Sequence, residues 1–369
     1  MAINRKYITL VVTHQCNIRC SYCYEKHKDS KTMSFENAIR IIEFELNKDD
    51  SYDDVEICFL GGEPLLEFDL IKRVVEYTKI RKYKKNYYFF VSTNGTVIND
   101  DMKEWFKKNT NILQMGLSLD GTPDVHNLNR CHSYDLIPID FFLSTYPEQG
   151  IKMTVAPNTL DKLSESVIYC HNLGFTEISC NLAYGIDWRD IINKEILIRE
   201  CNKLVEYYLQ NPHIKPCSLL DIDLLSNISQ SEGKIMKVCG SGRGTKAFDF
   251  DGTVYPCQFF LPLSIGEEKA KLSLKLDMTK DEILACEADP MCKNCCLKNI
   301  CSTCYGSNFS STGNIYKHDE NMCELMKCQY YFTAYFAIKL FEKKIINRDD
   351  NLAASILKSA LIIFENIKI

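Results

Sequence analysis

Along the first 200 residues, short apolar runs alternate with longer stretches whose apolar positions recur every three or four places. The short runs, at 7–12, 55–60, 87–92, 114–119, 151–156 and 177–182, read as strands. The stretches at 34–46, 69–80, 100–107 and 163–173 read as helices, the first with Ser34 placed to cap it. Six strands alternating with helices predict an α/β domain on a parallel sheet, as an open sheet or a partial (β/α)6 TIM-like barrel. Sites in such folds gather at the C-terminal ends of the strands. That rule brings four separate segments to one rim: the loop from Cys16, "GGEP" at 61–64, "STNG" at 92–95 and "SLDG" at 118–121.

Residues 187–238 look helical but less patterned, and read as a bridge. From Cys239 the texture changes to "CGSGRGT", a hairpin signal at Asp251-Gly252 between "KAFDF" and "TVYPC", and crowded cysteines. A small, loop-rich region gains little from a core and needs inorganic staples. The tail reads as two helices, "YYFTAYFAIKLFEKKI" and "NLAASILKSALIIFENI", whose apolar faces are expected to pack on the body, with a partner interface as the alternative. The division expected is therefore 1–186, a bridge at 187–238, a cysteine-rich domain at 239–328 and helices at 329–369.

Composition adds little until cysteine is counted. The 369 residues fit two or three domains. A net charge of −5 gives no basic field for nucleic acid or an anionic membrane. No run approaches the roughly 18–20 apolar residues of a membrane span. A strand-like "YITLVV" stands where a signal peptide would have its apolar core, so a cytoplasmic protein is expected. Nineteen cysteines in a reducing compartment argue for metal ligation or catalysis over disulfides. An even spread would put fewer than one in any 13-residue window, yet 292–304 holds five. Packing does not require that density, and coordination does.

Cys16-x3-Cys20-x2-Cys23 places three thiols on one short loop. Three thiolates can hold three irons of a cubane and leave the fourth open to a ligand, whereas four close the cluster. A zinc site with His14 as fourth ligand, or accidental thiols, are the alternatives. The spacing, with Tyr22 before the third cysteine, resembles the signature of the radical S-adenosylmethionine (SAM) superfamily. The resemblance runs along the first domain. "GGEP" (Gly61, Gly62, Glu63, Pro64) is similar to that family's loop for the methionine amino group, where glycines admit backbone carbonyls and a carboxylate complements the ammonium. "STNG" (Ser92, Asn94) and "SLDG" (Ser118, Asp120) resemble its later cofactor-contacting strand ends. Arg130 matches the position that holds the cofactor carboxylate, with a surface arginine as the alternative, and Tyr22 would lie near the adenine. The resemblance implies reductive cleavage of SAM at a 4Fe–4S cluster and hydrogen abstraction by a 5′-deoxyadenosyl radical.

Cys239, Gly252-x4-Cys257, Cys292-x2-Cys295-x5-Cys301, Cys304 and Cys323 resemble the SPASM extension of radical SAM peptide and protein maturases. That extension holds two auxiliary 4Fe–4S clusters. Its interleaved ligation implies Cys239, Cys257 and Cys304 for the first, and Cys292, Cys295, Cys301 and Cys323 for the second. Two residues separate Cys301 from Cys304, where the family usually has three. The fourth ligand of the first cluster stays open between a substrate group and Cys286, Cys296 or Cys328, and Cys296 is an alternative to Cys295. A zinc ribbon is the competing reading of the run. Cys58, Cys131, Cys170, Cys180, Cys201 and Cys217 have no partner spacing and are expected to be packing or surface thiols.

The resemblance implies an oxidoreductase that modifies a precursor peptide, with an external electron donor such as flavodoxin or ferredoxin. The expected product is a thioether, carbon–carbon or ether cross-link. The runner-up is formylglycine formation, as in anaerobic sulfatase maturases, where an aspartate follows the cysteine of the Gly-x4-Cys element. Here Gln258 stands there, and glutamine does not serve as a base. Asp249, Asp251 and Glu267 are weak candidates for a base. With strand one starting near Tyr7, no N-terminal recognition domain is expected, so a leader would be bound by the body or a separate protein. An electron carrier or zinc-stabilised binding module is the non-enzymatic alternative.

Overall fold

The computed structural model describes residues 4–190, 192–230, 239–278, 289–301, 303–345 and 349–369. They fall into two compact units. The first comprises 1–119, 126–151 and 240–280, and the second 120–125, 152–239 and 281–369.

In the first unit, β1 (Arg5–Thr13), β2 (Asp54–Gly61), β3 (Asn86–Thr93) and β4 (Leu113–Ser118) lie parallel in chain order. From Ile8 onward every residue of β1 is buried, as suits a central parallel strand covered on both faces. The crossovers are helices α1 (Phe35–Asn47), α2 (Phe68–Lys79) and α3 (Asp100–Lys108). Ser34 caps α1 by accepting from the Asn37 N–H, as its sequence suggests, and Asn99 caps α3 through the Met102 N–H. α1 buries Ala38, Ile39, Ile41, Ile42 and Leu46 on one face. The expected hairpin forms as β7 (Thr245–Phe248) and β8 (Val254–Tyr255), antiparallel, with Gly252 at φ +87°. Its first strand pairs parallel with β1, Tyr7 opposite Thr245. The hairpin read from the cysteine-rich half is therefore an edge of the first unit's sheet.

The second unit carries β5 (Ile151–Val155) and β6 (Ile178–Leu182), neighbours in the sheet, and the helix Leu163–Leu173, which ends on the left-handed Gly174. The described residues of the bridge read at 187–238 form the helix Ile192–Gln210, two 3-10 turns and the short helix Ser226–Gln230, and 231–238 lie outside the described residues. The tail helices are Glu320–Glu342 and Asp350–Asn366, packed on each other, and the former also on Ile192–Gln210. The first of them starts ten residues before its apolar pattern does. Asp319 caps it by accepting from the Asn321 and Met322 N–H groups, which draws Cys323 into its first turn. Among the described residues no helix is long and apolar enough to cross a membrane.

Candidate active site

β1 ends in the loop that carries Cys16, Cys20 and Cys23, all half-buried. The loop is held by its backbone. Gly62 N–H donates to the Thr13 carbonyl (3.0 Å) and Glu63 N–H to that of Gln15 (2.7 Å). A Cβ on Gly61 would stand 2.0 Å from the Thr13 oxygen, and one on Gly62 would stand 2.2 Å from the Gln15 oxygen and 2.9 Å from Cys16 Cβ. The glycine pair is thus required by the approach of the cysteine loop itself. Further round, Ser21 N–H donates to the Asn129 carbonyl (2.8 Å) and His27 N–H to that of Leu263 (3.0 Å). Cys131, expected to be a packing or surface thiol, clips the loop: its thiol donates to the Arg19 carbonyl (2.9 Å) and accepts from the Arg19 N–H (3.3 Å).

Positive charge faces the sulfurs. Lys28 Nζ lies 3.1 Å from Cys23 Sγ and donates to the Glu25 carbonyl (2.7 Å). Burial opposes the charge on Lys28, but the Cys23 sulfur together with Glu25 and Cys16 outweighs it and raises the pKa. Arg130 Nη1 lies 4.0 Å from Cys20 Sγ, with its guanidinium 5.4 Å from the Tyr22 ring centre. Both Arg130 and Tyr22 are buried, so the surface-arginine alternative is excluded. Burial pushes the Cys16 thiol up to about 11. Such a thiol keeps its proton until a metal displaces it. Three sulfurs on one loop, balanced by two cations, fit an iron–sulfur cluster with one iron left free.

Glu63 is 1% exposed. Oε1 accepts from Thr93 Oγ1 (2.7 Å) and the Leu65 N–H (3.1 Å), and Oε2 from the Asn94 N–H (2.8 Å). Burial still pushes its carboxyl up to about 7, with these donors and Arg130 pulling the other way. The Asn94 side chain reaches Asn17 on the cysteine loop (3.0 Å). Pro64 opens the 3-10 turn behind Glu63. Ser92 and Ser118 stand half-buried on β3 and at the end of β4. Asp120 belongs to the second unit, where its Oδ1 accepts from the Thr154 N–H (3.0 Å).

His14, weighed from sequence as a zinc ligand, is already engaged. Its Nε2 lies 2.7 Å from Asp249 Oδ1, and its Nδ1 stands 3.0 Å from Asp29 Oδ1 in an ionic approach off the hydrogen-bond line. Burial works against its charge, and the two carboxylates overcome it and raise its pKa. Asp249, a candidate base, is thereby occupied. Burial pushes neighbouring Glu25 up to about 8.

In the second unit, Cys292 N–H donates to the Asp289 carbonyl (3.0 Å) and Cys295 N–H to that of Cys292 (3.1 Å). Cys301 N–H donates to the Leu297 carbonyl (2.8 Å), and Cys304 caps the helix Tyr305–Thr312. Burial raises the Cys323 pKa, with Cys295 within electrostatic reach. Cys292 Sγ, His318 and an Asp289 oxygen lie within 4.8 Å of one another. Cys239 is half-buried in this unit and Cys257 half-buried in the first. Cys296 is half-buried, Cys328 is fully buried, and Cys286 lies outside the described residues. Lys28, Asp289 and His318 carry no signal of their own in the sequence, and Cys131 reads there only as a packing or surface thiol. Only the adjacency of "EKHK" to Cys23 hinted at Lys28.

The radical SAM superfamily model matches residues 10–190. The chain is 32% identical over 241 residues to the uncharacterized protein MJ0907 of Methanocaldococcus jannaschii, covering 61% of this chain and 82% of that one. It is 25% identical to the radical SAM cyclopropyl synthase TigE of Paramaledivibacter caminithermalis, over 94% of this chain and 75% of the relative. It is 27% identical to the cysteine-type anaerobic sulfatase-maturating enzyme of Clostridium novyi, over 85% and 90%. The fold is similar to that of anSMEcpe with bound AdoMet, at a TM-score of 0.70 and 20% identity, covering 96% and 98% of the two chains. With the three cysteines gathered at the end of β1, these similarities establish that the chain is an enzyme of the radical SAM superfamily.

Proposed function

We propose that the chain is a peptide maturase that cleaves SAM reductively and takes a hydrogen atom from a ribosomally made precursor peptide, closing an intramolecular thioether, carbon–carbon or ether cross-link. The observation that carries the proposal is the loop of Cys16, Cys20 and Cys23, locked on Gly61–Glu63 with Lys28 and Arg130 at its sulfurs. The cluster and SAM, when bound, supply a carbon radical able to abstract hydrogen. The chain's own residues bind and orient. Glu63 meets the ammonium of SAM, Arg130 its carboxylate, and Tyr22 lies beside the adenine. Gly61, Gly62, Pro64, Ser92, Asn94 and Ser118 shape the remaining walls. Two further 4Fe–4S clusters draw on the C-terminal cysteines, one of them on Cys292, Cys295, Cys301 and Cys323. Residues 1–186 house the SAM site and 239–328 the auxiliary cysteines, with 187–238 bridging and 329–369 closing the chain. A flavodoxin- or ferredoxin-like protein supplies the electron.

Anaerobic reconstitution tests this reading. About twelve irons per chain are expected for three cubanes, with 5′-deoxyadenosine formed by the wild type and absent in Cys16→Ala. Four irons, or zinc, would sink the auxiliary clusters. A co-expressed precursor should lose the mass of two hydrogens. Formylglycine formation is the second reading, favoured by similarity to the sulfatase-maturating enzyme and opposed by Gln258 in place of a carboxylate.

Glu63 also predicts a pH dependence. Its carboxyl, held up to about 7 by burial, is protonated below that pH and must release the proton to meet an ammonium. SAM affinity should therefore fall by up to about tenfold per pH unit below 7 and level off above it. Calorimetry in buffers of different ionisation enthalpy should show proton release near pH 6, and none in Glu63→Gln. Release undiminished in Glu63→Gln would assign the proton elsewhere.

A further inference from the structure

We propose that Cys131 is a positioning residue for SAM cleavage, completing a clasp that sets Arg130 against Cys20; this rests on Cys20 as a cluster ligand and Arg130 as the partner of the SAM carboxylate. Two segments 110 residues apart meet residue for residue. At the centre, Arg130 Nη1 lies 4.0 Å from Cys20 Sγ. On one side of that contact, Ser21 N–H donates to the Asn129 carbonyl (2.8 Å). On the other, the Cys131 thiol donates to the Arg19 carbonyl (2.9 Å) and accepts from the Arg19 N–H (3.3 Å). The two neighbours of Cys20 are thus bonded to the two neighbours of Arg130. The spacing of cation and sulfur is therefore fixed by the chain on both sides and does not depend on the long arginine side chain alone.

The turn is built to hold this posture. Cys131 and His132 have φ of +56° and +54°, a region that residues with a Cβ seldom enter, and here two do so in succession. Such a backbone persists where its surroundings over-determine it, and these places cluster at functional sites. Arg130 N–H donates to the His126 carbonyl (2.7 Å), His132 N–H to that of Asn127 (3.0 Å), and Tyr134 N–H to Asn127 Oδ1 (2.9 Å). Buried His126 and Ser133 close the turn, with Nε2 and Oγ 3.1 Å apart. Cys131 itself is exposed, so packing does not account for a thiol there. Of the bonds flanking the Arg130–Cys20 contact, those of the Cys131 thiol are the ones a substitution can remove, because Ser21 and Asn129 meet through their backbones. A small displacement of groups that hold reactants is costly in rate and affinity.

Three variants of the reconstituted full chain test the clasp. Cys131→Ala removes the thiol bonds and keeps the backbone strain, Cys131→Gly removes the bonds and relieves the strain, and Cys131→Ser keeps a donor and an acceptor. The readouts are SAM affinity by calorimetry and the change that SAM causes in the electron paramagnetic resonance of the reduced protein. All three should load iron as the wild type does, since no cluster ligand is altered. The Ala and Gly variants should both bind SAM about tenfold more weakly, the scale of one charge-assisted hydrogen bond set out of line. Both should also show an altered SAM-induced spectrum. The Ser variant should bring affinity and spectrum back toward the wild type. Wild-type behaviour in the Gly variant overturns the proposal, because the turn's conformation would then matter and the thiol would not. So does a lower melting temperature in the Ala variant with affinity and spectrum unmoved, which leaves the thiol a structural role only. Undiminished SAM affinity in Arg130→Leu overturns the reading of Arg130 itself, and is measured before any Cys131 variant is made.

Discussion

Gly62→Ala is expected to leave the parallel strands folded and to lower SAM cleavage by about 10²-fold or more. The new Cβ would sit 2.2 Å from the Gln15 carbonyl oxygen and 2.9 Å from Cys16 Cβ. Neither neighbour is the free end of a flexible side chain, so the cysteine loop must move. The Gln15 carbonyl also accepts the Glu63 N–H at 2.7 Å, so moving it disturbs the carboxylate as well. One methyl group thus displaces the Cys16 loop and Glu63 together. Iron content of the reconstituted protein and 5′-deoxyadenosine yield check this. Gly62→Ala should lose about four of the twelve irons and the cleavage, as is expected of Cys16→Ala, while its circular dichroism matches the wild type. Full iron with near-normal cleavage would show that the loop accommodates the methyl and that the glycine serves only the turn.

Why this glycine matters was not legible in "GGEP", which reads equally well as an ordinary turn. What was legible follows a physical divide. β1 to β6 appear within a residue or two of their expected ends, because β1 is a nearly continuous apolar run and β2, β3, β5 and β6 alternate buried with more exposed positions, both patterns that a strand writes locally. The Cys16, Cys20, Cys23 spacing is local and survives reading by eye. Pairings across the chain do not. Nothing near Thr245 announces that it lies opposite Tyr7, so the hairpin could be recognised but not assigned to a sheet edge. The helix Glu320–Glu342 was read from 330 because "ENMCELMKC" carries little apolar period, and the capping by Asp319 that starts it is one polar residue among many. His318 and Asp289 are 29 residues apart, and neither stands in a recognisable motif.

A hidden pairing nearly as long as that of Tyr7 with Thr245 carries the second large prediction. His14 and Asp249 are 235 residues apart, with side chains 1% and 3% exposed. His14→Ala should destabilise the first unit by about 3–5 kcal/mol, because it strands a buried carboxylate without its cation. The Phe250 N–H, 2.8 Å from Asp249 Oδ1, would remain the carboxylate's one compensating donor among those described here. The double variant His14→Ala/Asp249→Ala should be less unstable than the two single losses added together, since no charge is then left behind. Thermal unfolding of the wild type and the three variants, followed by circular dichroism, decides the matter, and strict additivity would refute the coupling. The effect reaches function through geometry. His14 begins the loop that carries Cys16, while Asp249 lies in the hairpin whose second strand leads to Cys257. A buried ion pair at that junction contributes less to net stability than to fixing where two cysteine-bearing segments start. His14→Ala should therefore lose iron retention at temperatures where its strands are still folded.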